Sequence, residues 1–228
     1  MPLPLALRQI IPRQRPGGPH ADSAAFLSEI FATNSISGAA AAFALAHIGK
    51  TVRPVLWVQD RLSQSESGRP YLPAFFHTAS LLRVEVNRPA DVLTAMEDGL
   101  RCKGLAAVVG EVWGDPRVLG FSASKRLAVR SEAANLPCWL IRRGAAPNLS
   151  AARERWRITT LPSAPHPEDA FAPGPARWRA ELFRSRFTKP ADWVVEYDGA
   201  AHHLDFLAPF RDGALAGAGT ADPQRAAR

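Results

Sequence analysis

Three runs in this chain are apolar from end to end: Val55 to Val58, Leu105 to Val109 and Pro137 to Ile141. A strand without a polar face must be covered on both sides, which calls for a sheet between helices, with those helices joining parallel neighbours. The intervening segments read as such helices. Gly38 opens an alanine-rich stretch that reaches about His47. After Asn87 and Pro89, the residues Val92, Leu93, Met96 and Leu100 recur on one face of a 3.6-residue period. Ser122 or Ser124 is placed to cap a third helix, with Leu127, Ala128 and Ala134 on its inner side. Glu29 to Phe31 and Leu81 to Val86 complete the strands of this half, and Ser63 to Pro73 reads as a long loop. The pattern predicts an α/β fold, a mainly parallel sheet flanked by helices.

Beyond Arg143 the pattern changes. Trp156 to Leu161, Arg179 to Arg184, Asp192 to Tyr197 and His202 to Phe206 are strand-like runs, and the prolines from Pro162 to Pro175 form a connector. Asp198-Gly199 between two alternating runs is a strong hairpin signal. These features predict a C-terminal antiparallel meander added to the edge of the sheet. The proline- and arginine-bearing start reads as a flexible arm over 1–22, and the alanine- and glycine-rich end as a disordered tail over 211–228.

A content of 46% hydrophobic and 21% charged residues excludes collagen, coiled coil and wholesale disorder. Cys102 and Cys138 each read as part of an apolar run, with no CxxC or Cys/His spacing, so neither a disulfide framework nor a zinc site is encoded and a cytoplasmic home is expected. Gly38 to Ile48, the longest strongly apolar stretch, is too short to span a bilayer, so no membrane partner is expected. His202 and His203 are adjacent on a strand, point to opposite faces and cannot share a metal.

The net charge of +7 is concentrated. Between Trp139 and Lys189 there are ten basic and four acidic side chains, which is six of the seven excess charges. Arg153-Glu154-Arg155-Trp156-Arg157 and Arg177-Trp178-Arg179 interleave aromatics with guanidinium groups. Such a composition suits phosphate contact with base stacking, and equally an acidic protein surface, because guanidinium forks match both. On a strand, Arg155 and Arg157 share one face and Trp156 takes the other, so a tryptophan in the core beneath a solvated basic row is a further reading.

In order and spacing, Glu29-Ile30-Phe31 with its turn and helix, Val55 to Asp60, and Ala90 to Glu111 resemble the ATPase core of RecA-type recombinases. Gly104 to Val112, the helix with Ser124-Lys125-Arg126-Leu127 and Glu132-Ala133-Ala134, and Arg177 to Arg184 with Val194-Val195-Glu196 resemble the ImuA family, RecA-like accessory proteins of bacterial inducible mutagenesis. The likeness covers most of Phe26 to Phe206. It implies a RecA-like domain over 23–210, with its antiparallel extension from about 153, acting in the SOS response. The implied partners are ImuB, an inactive relative of Y-family polymerases, and an error-prone replicative-type polymerase subunit, with RecA and DNA as further candidates.

A phosphate loop needs glycines, a lysine and a Ser/Thr hydroxyl for magnesium. The corresponding stretch, Ala32 to Ala40 with Ser37, Gly38 and Ala39 at its end, keeps one glycine; the lysine position falls on Gly38 or Ala39 and the hydroxyl position on Ala39 or Ala40, so both the charge and the hydroxyl are missing. Charge-assisted contacts are worth about 1.5–3 kcal/mol each, so the loop is degenerate and no cofactor or catalytic residue is assigned. Asp60 holds the place of a water-activating carboxylate, and Glu111 lies one residue past the metal-supporting position, which Gly110 occupies. Without phosphate-binding partners these carboxylates read as loop residues or helix caps. The expectation is a non-catalytic adaptor in error-prone translesion synthesis that contacts its partner or DNA through Arg155, Arg157, Arg177, Arg179, Arg184 and Arg186. A weak RecA-type ATPase and a sequence-independent single-stranded DNA binder are the alternatives.

Overall fold

The computed structural model describes residues 25–71, 80–166, 168–169, 171–199 and 203–210. The arm at 1–22 and the tail at 211–228 lie outside these residues, as does His202. In chain order the elements are β1 (Leu27–Ala32), α1 (Ala39–Ile48), β2 (Val55–Asp60), α2 (Arg61–Ser67), β3 (Leu81–Val86), α3 (Pro89–Gly99), β4 (Ala107–Trp113), α4 (Phe121–Ala134), β5 (Cys138–Arg143), β6 (Glu154–Leu161), β7 (Ala176–Ser185), β8 (Ala191–Asp198) and β9 (His203–Pro209). All these strands join one sheet in the order β3-β2-β4-β5-β1-β6-β7-β8-β9. From β3 to β6 every neighbouring pair is parallel, and from β6 to β9 every pair is antiparallel. The α/β class and the C-terminal meander are as the sequence predicts, with one shift: β6 itself continues the parallel part, and the antiparallel part begins at the β6–β7 pair.

The two faces of the sheet are covered by different means. On one, Trp57, Trp139, Trp156, Trp178 and Trp193, five of the six tryptophans, point toward the single helix α1. Alanines at 39–42 and 44 leave room for these large rings, and Phe43 packs edge-on to Trp139 and tilted against Trp156. Small residues on the helix opposite large ones on the sheet let the layers interdigitate at interior density. Gly49, at φ 70°, ends the helix in a conformation that suits glycine. On the opposite face, Val92, Leu93 and Met96 of α3 and Leu127 and Ala128 of α4 bury Val58, Val108, Val112 and Leu140. Among the described residues no helix is long and apolar enough to cross a membrane.

Several boundaries differ from the sequence reading. Arg61–Ser67 is a short helix rather than loop, because Asp60 caps it by accepting from the Ser63 amide at 2.6 Å. Neither Ser122 nor Ser124 caps α4; Gly120 precedes it, and Ser124 lies buried inside it. Ala134 of that helix is exposed. The apolar run at Leu105 enters the sheet two residues late and continues through Gly110 and Glu111 to Trp113. Cys102 stands exposed in the turn after α3, whereas Cys138 is buried in β5, where burial pushes its thiol far above the usual range.

Candidate functional site

The carboxyl ends of β1, β2, β4 and β5 meet beneath the loop from Thr33 to Gly38, the position at which a parallel α/β sheet ordinarily holds its ligand. Here that space is filled by the protein's own charges. Arg143, at the end of β5, donates from Nη1 to the carbonyls of Ser35 and Ser37, both at 2.7 Å. Its Nε donates to Glu111, and the pair is almost fully buried. Glu111 also accepts from Trp57 Nε1 at 3.3 Å, Gln59 Nε2 at 2.9 Å and Ser67 Oγ at 3.1 Å. Both oxygens of this buried carboxyl group thus have hydrogen-bond donors.

The loop therefore turns two carbonyl oxygens inward to an arginine, where a phosphate loop would turn amides toward an anion. The Ala39 amide is already taken by Ser37 Oγ at 3.2 Å, and that of Ile36 by Asn34 Oδ1 at 3.2 Å. Gly38 sits at the helix start with open space around it and no side-chain cap. Asp60 is a buried cap of α2. Glu111 is no loop residue, contrary to the sequence reading: it lies within β4, paired with Ile141, and strand alternation puts it on the α1 face of the sheet, the same face as Arg143 two residues further along β5. Among the described residues no group of three His, Cys, Asp or Glu side chains is placed to hold a metal.

The predicted arginines are dispersed. Arg155 is buried rather than part of a solvated row: its Nε donates to Glu29 Oε2 at 2.8 Å, while Glu29 accepts from Ser150 Oγ at 2.6 Å. Its guanidinium lies 5.2 Å from the Phe31 ring centre and 5.3 Å from that of Phe183. Arg142, also buried, approaches Phe31 at 5.5 Å and donates to Asp115 at 2.6 Å. Burial lowers its guanidinium from the ordinary value against the pull of Glu29 and Asp115.

Arg157, Arg177 and Arg179 lie together on the face of β6 and β7 away from α1, as strand alternation predicts, yet each meets an acid across the sheet. Arg157 donates to Glu181 at 2.5 Å, Arg177 to Glu196 at 3.0 Å and Arg179 to Asp192 at 2.7 Å. Two of these acids come from β8, past the basic segment in sequence, so antiparallel pairing folds negative charge back onto it. Trp156 and Trp178 are buried and present no ring for base stacking. Arg184 and Arg186 at the end of β7 are exposed; Arg184 donates to the Ser150 carbonyl at 3.4 Å, and the Arg186 guanidinium makes no ion pair among the described residues.

Sequence reading did not identify Glu29, Arg142 and Arg143 as the partners that organise this end of the sheet. The available signal was charge at the ends of runs otherwise apolar, since a charge in a strand buried on both faces needs a counter-charge. No family model matches the chain. By sequence it is similar to two curated proteins, each named Protein ImuA, from two strains of Caulobacter vibrioides, and is 34% identical to each over 158 residues. The match takes in 65% of this chain and 62% of each relative, so the chain covers less than two thirds of their length.

Proposed function

We propose that the chain, 34% identical over 158 residues to two proteins named ImuA, is a member of the ImuA family and a non-catalytic adaptor in inducible, error-prone translesion DNA synthesis. In this reading it is a RecA-like domain over 23–210 whose phosphate loop has degenerated, and it works in the cytoplasm beside an ImuB-type polymerase relative. The observation that supports it best is Arg143 inside the loop. A guanidinium bound to the Ser35 and Ser37 carbonyls and to Glu111 occupies the ground where a triphosphate would lie. Releasing it would strand a buried carboxylate, at a cost of several kcal/mol. A protein of this fold that has lost nucleotide chemistry acts through its surfaces.

For the contacts, Arg184 and Arg186 are the members of the basic set best presented to a partner or to DNA. Arg157, Arg177 and Arg179 would have to exchange acidic partners already held, and Arg155 would have to leave the core. The test is a pair of measurements on purified full-length chain. Capture of the ImuB-type protein from the same cells, together with phosphate release from ATP no higher than in Gly38→Glu, is the expected result. Hydrolysis above that variant would overturn the adaptor reading, and recovery of metabolic enzymes alone would count against the pathway.

A further inference from the structure

At the opposite end of the sheet from the Arg143 loop, a cavity of about 550 Å³ opens between the entry to β2 and the ends of α3 and α4. Leu100, Leu105 and Leu136 contribute an apolar floor. Arg53, Arg101, Lys103 and Arg130 form a cationic rim. Two of the four are spoken for, Arg101 by Asp98 and Arg130 by Glu97. Arg53 and Lys103 are exposed and make no ion pair among the described residues.

The cavity wall carries acceptors as well as cations. Ala133 and Ala134, in the last turn of α4, both line it. The amide that would close back onto the Ala133 carbonyl belongs to residue 137, a proline, which has none. Neither alanine carbonyl accepts a hydrogen bond among the described residues. A DNA backbone carries no internal hydrogen-bond donor to meet these carbonyls, and its phosphate oxygens are repelled by them. An extended peptide brings amide donors for the carbonyls, carboxylates for the cations and an apolar side chain for the leucine floor.

We propose that this cavity is a docking site for an acidic peptide segment of a partner protein, with carboxylates on Arg53 and Lys103 and an apolar residue set between them. The chain's own ends do not fit the description. Residues 1–24 hold three arginines and one aspartate, and 211–228 hold three arginines and two aspartates. The proposal stands apart from the pathway assignment, because it concerns what the cavity can recognise.

The probe is a fluorescein-labelled octapeptide with two leucines among six glutamates, read by fluorescence polarisation on the full chain. Saturable binding is expected, weakened roughly tenfold in the doubly reversed variant Arg53→Glu, Lys103→Glu and unchanged in Arg184→Glu, Arg186→Glu. The all-glutamine analogue should not bind. Because Cys102 lines the cavity and is exposed, the peptide should also slow its reaction with a maleimide. Failure of the octapeptide to saturate, equal weakening by both double variants, or tighter cavity-dependent binding of an oligothymidine would each overturn the proposal.

Discussion

Met96 occupies the space that any side chain at Gly110 would need. A Cβ on Gly110 would lie 2.1 Å from the Met96 sulfur, and Met96 is fully buried on the inner side of α3. The absence of a side chain at Gly110 is therefore part of the packing of the core. Gly110→Ala should cost about 1–3 kcal/mol from overpacking. Gly110→Asp should cost more, because its carboxylate enters the apolar cluster around Val108 and Val112 without a donor. Urea unfolding measures both; an aspartate variant as stable as the parent would contradict this packing.

The Arg143–Glu111 pair makes a second prediction. Removing one member leaves the other buried and uncompensated, so Glu111→Ala or Arg143→Ala should each destabilise by about 3–5 kcal/mol. Replacing both at once, as Glu111→Ala with Arg143→Ala, should cost clearly less than the two single losses added together. A double-mutant cycle by denaturant unfolding checks this. Strict additivity would mean that the two side chains do not depend on each other.

On the proposed reading of the Thr33–Gly38 loop, placing a lysine at Gly38 should not confer nucleotide chemistry. A side chain at Gly38 meets open space, so Gly38→Lys is accommodated without strain. The inward carbonyls of Ser35 and Ser37 remain tied to Arg143, and Ser37 still covers the Ala39 amide. Phosphate release by Gly38→Lys should stay at the background of the parent protein in a malachite green assay.

What the sequence disclosed and what it hid follow from range. The parallel core and the meander were legible because apolar runs, a 3.6-residue period and Asp198-Gly199 are local signals. Helix α2 was hidden because Arg61–Ser67 is polar nearly all round and has no periodicity to read; its one local sign was Asp60 three residues before Ser63. The charge pairs were hidden because their partners are distant in sequence. Glu29 and Arg155 are 126 residues apart and meet only through the parallel register of β1 and β6. The basic segment looked unopposed because a count that stops at Lys189 misses Asp192 and Glu196, which the β7–β8 pairing sets beside Arg179 and Arg177. Tryptophans among arginines resolved by alternation, with the rings on the α1 face and the guanidinium groups on the other, where Arg155 is buried on Glu29 and Arg157, Arg177 and Arg179 are ion-paired.

The two cysteines should react very differently. Cys102 is exposed in a turn, and Cys138 is enclosed in β5 with its thiol pushed far up by burial. Native protein should titrate one thiol with Ellman's reagent, and the second only after unfolding. Two fast thiols in native protein would mean that β5 opens readily.

Acid should act through His47. This residue sits at the end of α1 against Phe43, Trp139, Trp156 and Phe206, and its Nδ1 lies 2.9 Å from the Phe43 carbonyl. Burial lowers its pKa from 6.5 to about 4, only partly opposed by the Phe43 carbonyl, while the charge of His203 adds slightly to the lowering. Above about pH 6.5 the imidazole is neutral in both folded and unfolded chains, and its contribution to stability is fully present. As the pH falls toward 4 the unfolded chain takes up a proton that the folded chain refuses, so stability is lost across that window by up to about 3 kcal/mol; below about pH 4 both states are protonated and the loss levels off. Carboxylates titrate in the lower part of the same range, so the comparison that isolates the histidine is with His47→Gln, whose amide can donate to the Phe43 carbonyl without titrating. Urea midpoints measured from pH 7 to pH 4 should fall more steeply in the parent than in His47→Gln, and parallel curves would place the acid sensitivity elsewhere in the molecule.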